Sequence, residues 1–310
     1  MLRKEFTVAA NATGFSRVSV FVSACQYYLL YLDGQRVGDR ELDVVWTKFA
    51  ENRSYSSYSL SPTLFTPGKH VVGLEIGQGF CGGNQGKADA RRAKAGLLLI
   101  NMYADSAKLQ DQPRHPQQRR QQVVVQSVGT DGTWEASSGP VLWDSTYYGE
   151  DYDARLEQDG WSRPGFNQSW TAAQVQTVWP TDDTTRDTPP GPPWMSSQLM
   201  QPIKAVRTMA PVSMAKVAMP AGGVTYVYDF AREFAGVVQL RLPPMTASGT
   251  NITLKYAEAL AHPGLAAGDS YDGGGGDVFD GRVYMKNLFW AGRNNPPLLP
   301  SRGGGDTIHQ

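Results

Sequence analysis

The sequence predicts an all-β protein built as two sandwich-like domains. Three observations predict it: short apolar stretches with a two-residue period, an Asp-Gly pair set between strand-like runs, and turn-forming residues spread along the chain. The 310 residues include 33 glycines and 20 prolines, about a sixth of the chain and above the usual share of roughly 12%. Hydrophobic residues make up 41%, which is enough for folded cores.

The elements follow in order. In Arg17–Ala24, Val18, Val20, Val22 and Ala24 fall on one face, with Arg17, Ser19, Phe21 and Ser23 on the other. That is the pattern of a half-buried strand. Tyr27–Leu32 is aromatic and aliphatic, and Asp33-Gly34 follows it. Asp-Gly favours a type I′ turn, because both central residues need positive φ, so a hairpin is predicted here. Further strands are predicted at Ser54–Ser59, His70–Ile76, Leu97–Met102 and Val123–Val128, separated by turn signals such as Thr66-Pro67-Gly68, Thr130-Asp131-Gly132 and Ser138-Gly139-Pro140.

Lys87–Gly96 has helix-forming composition but no apolar face, so it reads as a solvated loop with at most a short exposed helix. Asp111–Gln122 is polar and reads as an inserted hairpin loop. Thr181–Ser197 combines threonines, aspartates and four prolines and is the clearest linker. Beyond it, Val224–Phe230, Val237–Leu242 and Asn251–Tyr256 are strand-like, before glycine-rich stretches and a breaker-rich tail that predicts disorder. The reading is therefore a β-sandwich at residues 1–180, a Pro-rich linker at 181–200, and a second β-sandwich at 201–310 whose last strands are incomplete.

Charge and cysteine content exclude several classes. Twenty-nine basic and 29 acidic residues cancel, which argues against a nucleic-acid or anionic-membrane partner. No apolar run approaches the ~18 residues of a membrane span. MLRKEFTVAA lacks the apolar core of a signal peptide, yet Met1 almost abuts the first strand, and no compartment is assigned. Cys25 and Cys81 are the only cysteines, so no disulfide framework or multi-cysteine zinc site is expected.

Metal and nucleophile signatures are missing as well. There is no HExxH, and His70, His115, His262 and His309 are scattered singly and read as surface histidines. Gly77–Gly83 is glycine-rich but is neither GxGxxG nor a P-loop. No serine has a G-x-S-x-G setting.

The densest chemistry is Tyr147–Trp170, YYGEDYDARLEQDGWSRPGFNQSW. Glu150, Asp151, Asp153 and Glu157 stand beside Tyr147, Tyr148, Tyr152, Trp161 and Trp170. Ring faces carry the C–H surface of a sugar, and carboxylates accept hydroxyl hydrogen bonds or hold Ca²⁺. The same stretch also reads as core aromatics with turn-forming acids paired to Arg155, and the residues leave both readings open. For a bound sugar, Phe80 and Tyr148 would supply ring faces, with Tyr152 beside them. Glu150 and Asp153 would meet hydroxyls or Ca²⁺, and Arg155 would position those acids. The Tyr147–Arg155 and Gly77–Gly83 loops are expected at one edge of the sandwich.

At this point the sequence resembles a family. Tyr27–Leu60, YYLLYLDGQRVGDRELDVVWTKFAENRSYSSYSL, is similar to the opening of bacterial-type α-L-rhamnosidases. TYYGEDYDARLEQDGWSRPGFNQSW resembles the family's YxGExYDARxExxGWxxPGFDDSxW. Tyr226–Leu242 and Thr250–Leu260 resemble the next, concanavalin-like module. The resemblance implies a jelly-roll or galactose-binding-like first sandwich and a concanavalin-like second one.

It also implies hydrolysis of terminal α-L-rhamnose with inversion, by two opposed carboxylates in an (α/α)₆ toroid. These residues hold no helical repeat able to form a toroid. The expectation is a non-catalytic portion of such an enzyme, inactive alone, with no catalytic residue, no resident cofactor and no metal ligand. Its partners would be the catalytic domain or a rhamnose-containing carbohydrate. A stand-alone carbohydrate-binding protein and a ligand-free scaffold are the alternatives.

Some relatives bind rhamnose through Ca²⁺ in a sandwich module. The departures weaken transfer of that site. The family's G-N/D-G-W-Y reads GQGFC here, with Gln78, Phe80 and Cys81, and its GQN reads Ala231, Arg232 and Glu233.

Overall fold

The computed structural model describes residues 1–10, 14–24, 27–45, 47, 52–77, 96–105, 122–145, 149–175, 194–218, 224–232, 234–240, 250–254, 287–291 and 307–309. Among them every regular element is a strand or a 3-10 turn, as an all-β sequence predicts. The chain divides into two units. The first draws its described residues from Met1–Asn84, Ala88–Ser138 and Gln158–Ile203; the second draws mainly on Gly139–Glu157 and Lys204–Gln310.

The first unit contains two sheets. One has the order β13 (Thr171–Ala172), β10 (Glu135–Ala136), β1 (Leu2–Val8), β7 (Gly68–Ile76), β3 (Tyr28–Leu32), β4 (Gln35–Arg36). The other runs β14 (Trp194–Ser197), β6 (Asn52–Leu60), β2 (Arg17–Ala24), β8 (Gly96–Asp105), β9 (Gln122–Gly129). A short β5 (Arg40–Glu41) follows β4. Alternation sends Phe6, Val8, Leu30, Leu32, Val72, Leu74 and Ile76 of the first sheet into one core with Val18, Val20, Val22, Leu98, Ile100 and Met102 of the second. Each such side chain, fully buried, contributes about 1.5–3 kcal/mol. Trp134 completes the core and donates its indole N–H to the Gly129 carbonyl at 2.9 Å.

The predicted hairpin is present. Asp33 (φ 49°) and Gly34 (φ 82°) both take positive φ, and Leu32 faces Gln35 across β3 and β4. The Asp33 carboxylate accepts the Val71 backbone N–H at 2.7 Å and meets His70 Nδ1 at 2.6 Å. His70 is therefore not a surface histidine: it is 5% exposed and stacks on Phe6. Its other ring nitrogen lies 2.7 Å from the Thr66 carbonyl oxygen. The two-residue period of His70, Val72, Leu74 and Ile76 puts it on the core face, where a partnered ring is tolerated.

Trp194–Ser197 also departs from the sequence reading. It lies in the stretch read as linker, yet it forms β14, parallel to β6, with Trp194 opposite Asn52 and Ser197 opposite Tyr55. Its backbone finds a partner at the sheet edge, which a linker assignment based on composition does not anticipate.

The second unit holds β11 (Val141–Ser145) and β12 (Gly149–Asp153) in one sheet with β20 (Thr250–Leu254) and β21 (Asn287–Ala291). It also holds the hairpin β17 (Ser213–Ala218) and β18 (Val224–Asp229), and a small sheet of β16 (Thr208–Met209), β19 (Val237–Gln239) and β22 (Thr307–His309). β15 (Ile203–Lys204) falls at the boundary. In the tail predicted to be disordered, Thr307–His309 is a strand, with Ile308 opposite Val238. Cys25, Cys81, Lys87–Ala95 and Asp111–Gln121 lie outside the described residues.

Candidate functional site

The candidate site is built on the β11–β12 hairpin. Trp143 faces Asp151, Asp144 faces Glu150 and Ser145 faces Gly149. The alternation along β12 puts Glu150 and Tyr152 on one face and Asp151 and Asp153 on the other. The Tyr152 hydroxyl donates to the Glu157 carboxylate.

Asp153 ends the strand and caps the 3-10 turn Ala154–Leu156. Its Oδ1 accepts the Arg155 backbone N–H at 3.0 Å and Arg155 Nε at 2.8 Å, and its Oδ2 accepts Arg155 Nη2 at 2.7 Å. This is a fork of two side-chain hydrogen bonds to one carboxylate, the arrangement that suits a guanidinium. The Arg155 side-chain hydrogen bonds hold the Asp153 carboxyl below the usual carboxylate range, against a smaller opposing effect of desolvation. The Arg155 guanidinium is shifted up by the same bonds.

Of the six residues predicted to meet a sugar, Glu150, Tyr152, Asp153 and Arg155 thus lie within one strand and the turn that follows it. Phe80 and Tyr148 lie outside the described residues. A calcium ion would have to compete with the Arg155 guanidinium for Asp153. Among the described residues there is no group of three or more His, Cys, Asp or Glu side chains placed to hold a metal.

The aromatics that follow serve elsewhere. Trp161 and Trp170 belong to the first unit and stack on each other, 5.7 Å between centroids. Trp161 meets Tyr31 edge-on at 5.2 Å, and Phe166 meets Trp170 edge-on at 5.8 Å. Trp170 donates its indole N–H to Gln158 Oε1 at 2.7 Å. Trp161 covers Gly73, where an added Cβ would lie 2.5 Å from the ring. Arg3, 5% exposed, stands over the Phe166 ring and bonds Glu135 at 2.7 Å. The segment Gln158–Trp170 therefore lays an aromatic layer on the outer face of β1, β7 and β3. No local signal marks it: Gly73 and Trp161 are far apart in the chain.

Together these features define a β-sandwich protein with a second β module and a carboxylate-bearing hairpin. Residues 14–198 match the α-L-rhamnosidase N-terminal domain, and residues 221–297 match the bacterial α-L-rhamnosidase concanavalin-like domain. The chain belongs to the bacterial α-L-rhamnosidase family. It is 26% identical over 307 residues to an α-L-rhamnosidase of Streptomyces avermitilis, covering 97% of this chain and 25% of that protein. It is 27% identical over 276 residues to one of an Alteromonas species, covering 87% of this chain and 26% of that protein.

The chain thus spans about a quarter of the length of the curated relatives it matches. Solved structures share the fold. The Streptomyces avermitilis α-L-rhamnosidase complexed with L-rhamnose superimposes with a TM-score of 0.71 at 22% identity, covering 99% of this chain and 26% of that one. The α-L-rhamnosidase of Dictyoglumus thermophilum gives 0.68 at 23% identity, covering 94% and 27%.

Proposed function

We propose that the chain forms the non-catalytic β-module portion of an α-L-rhamnosidase-like glycoside hydrolase. The consecutive match of the N-terminal and concanavalin-like modules carries this reading. The reaction of the whole enzyme would be hydrolysis of terminal non-reducing α-L-rhamnose residues. Such hydrolysis needs a pair of carboxylates flanking the scissile bond, which a separate catalytic domain would supply. The β modules would support that domain and bind a rhamnose-containing carbohydrate weakly. In the second unit, Tyr148, Glu150, Tyr152, Asp153 and Arg155 are the proposed sugar contacts; in the first, Phe80 is proposed separately.

The hairpin chemistry suits hydroxyl recognition, since Glu150 and Tyr152 share a face. A ligand-free scaffold is the second reading. It is favoured by one observation: Asp153 already gives both oxygens to Arg155.

Two measurements test these readings. The purified 310-residue chain is expected to leave an aryl α-L-rhamnoside unhydrolysed. Turnover above the buffer control, abolished by substituting an acid of this chain, overturns the non-catalytic assignment. Rhamnose titrated with and without calcium is expected to bind near millimolar, about 4 kcal/mol, and Tyr148→Ala or Asp153→Ala is expected to remove the response. No response, or one unchanged in both variants, leaves the scaffold reading.

A further inference from the structure

The edge of β6 is occupied by a strand that the chain delivers from far along its sequence. Trp194–Ser197 pairs with Asn52–Tyr55 in parallel, and the Gln198 N–H continues the ladder to the Tyr55 carbonyl at 2.9 Å. Ser196 Oγ donates to Asn52 Oδ1 at 3.2 Å. The pairing ends on a side chain that reaches inward. Gln198 Nε2 donates to Asp43 Oδ1 at 3.3 Å, and Gln198 Oε1 accepts the Val45 backbone N–H at 3.3 Å. Asp43 Oδ2 accepts Ser56 Oγ at 2.7 Å and faces Arg40 Nη1 at 3.4 Å. Asp43 is 2% exposed and Ser56 is also buried, whereas the next residue, Leu199, is 95% exposed. The contact with the sheet therefore closes at Gln198.

We propose that the β6 edge and the buried Asp43–Ser56 pair form a strand-acceptor site, occupied by this chain's own Trp194–Gln198, with Gln198 as its specificity residue. The ligand class is an extended peptide strand that ends in a primary amide. Backbone bonds to an open sheet edge supply affinity for any extended segment, and side-chain pockets supply selectivity. Here the pocket presents an acceptor, the Asp43 carboxylate, and donors, the Val45 N–H and, at 3.4 Å, the Ser56 hydroxyl. A glutamine amide satisfies both at once, and neither a carboxylate nor an aliphatic side chain does. The site protects an edge that would otherwise invite strand addition. It also fixes Trp194–Gln198, at the C-terminal end of the stretch read as linker, on the β6 edge.

Hydrogen–deuterium exchange of the full chain tests this. In the native chain, the amides of Trp194–Gln198 are expected to exchange more slowly than an unstructured peptide. Gln198→Ala is expected to speed exchange there about tenfold, the scale of one buried hydrogen bond, with Val18–Val22 unchanged. Gln198→Glu sets a carboxylate against Asp43 and is expected to speed it further. Adding Asp43→Asn returns a donor to face that carboxylate and is expected to restore protection, which a merely steric effect would not do. Free-peptide exchange of Trp194–Gln198 in the native chain overturns the proposal, and so do identical rates in Gln198→Ala and the native chain. A folded double variant that recovers no protection overturns the role of Gln198. If the double variant is unfolded, Gln198→Ala decides alone.

Discussion

The first unit buries a core of apolar strand residues and leaves positions such as Val123–Val125 on the edge strand β9 exposed, whereas the second leaves many in solvent. Val18, Val20, Val22, Leu74, Leu98 and Ile100 are all buried between two sheets. In the second unit Met214 is 58% exposed and Tyr228 46%, although the two face each other across β17 and β18. Val206, Val212, Tyr226 and Val237 are exposed as well. Met214, Tyr226, Tyr228 and Val237 lie in strands, as the buried set does. The difference teaches that alternation selects a face, while burial needs a second layer to press against it. β17 and β18 form a two-stranded sheet, and a hairpin by itself is marginal in water.

Substitution of one large aromatic in each unit gives the largest expected contrast. Trp134 is almost fully buried and holds a backbone carbonyl through its indole. Trp134→Ala is expected to destabilise the first unit by about 3–5 kcal/mol, read by denaturant unfolding. Tyr228→Ala is expected to change stability by less than ~0.5 kcal/mol, as at most exposed positions. A Tyr228 effect as large as that of Trp134 would break the comparison.

The outer aromatic layer comes next. Gly73→Ala pushes a methyl into the Trp161 ring, and overpacking of this kind costs about 1–3 kcal/mol. Trp161→Ala removes the obstacle, so adding Gly73→Ala to it is expected to cost much less than in the native background. Thermal unfolding of the four proteins reads the cycle, and strict additivity would show that the ring yields without strain.

Much of this was legible in the residues. The Asp33-Gly34 pair announced its hairpin because type I′ geometry demands positive φ twice, a strictly local constraint. Val18, Val20, Val22 and Ala24 announced their face because the strand period is local too. His70 was not legible, since its partner is a turn aspartate 37 residues away. Nor was β14, because composition reports chain stiffness and not where a distant edge lies open. In the candidate site, the clustering of acids with Arg155 was readable from spacing. The division of Tyr147–Trp170 was not: Gly139–Glu157 falls in one unit and Gln158–Ile203 in the other.

Positive φ offers a finer comparison between the units. Asp33 adopts it in the first unit and Ala231 (φ 57°) in the second. Asp33 is compensated, because its carboxylate binds the Val71 N–H and His70. Asp33→Gly is therefore expected to cost about 1–3 kcal/mol, the penalty for leaving a covered donor without its partner. Ala231 donates its N–H to Asp229 Oδ1 at 2.7 Å, a bond that glycine keeps, and its methyl adds only steric cost. That cost is roughly 1–2 kcal/mol in the left-handed region, offset by the greater freedom of an unfolded glycine. Ala231→Gly is expected to gain ~0.5–1 kcal/mol in the second unit, and a loss on thermal unfolding would show the local backbone is set otherwise.

The smallest expected effect lies at the candidate site. Arg155 holds the Asp153 carboxyl below the usual range chiefly through its side-chain hydrogen bonds. A depressed folded-state value means the ionised form is favoured by folding. The resulting stabilisation is present above the unfolded carboxyl value, about pH 4, and is lost as pH falls through the folded value. Because Arg155 is largely in water, the effect on stability is expected to be slight, and the carboxyl itself is the better reporter. In Arg155→Ala, the Asp153 carboxyl resonance is expected to titrate closer to an ordinary aspartate, while Asp131, held down chiefly by Thr133, keeps its midpoint. An unmoved Asp153 midpoint would mean that Arg155 does not hold this carboxylate in solution. Asp153 would then keep only the Arg155 backbone N–H of these partners, and the balance between the sugar-binding and scaffold readings of the hairpin would shift toward binding.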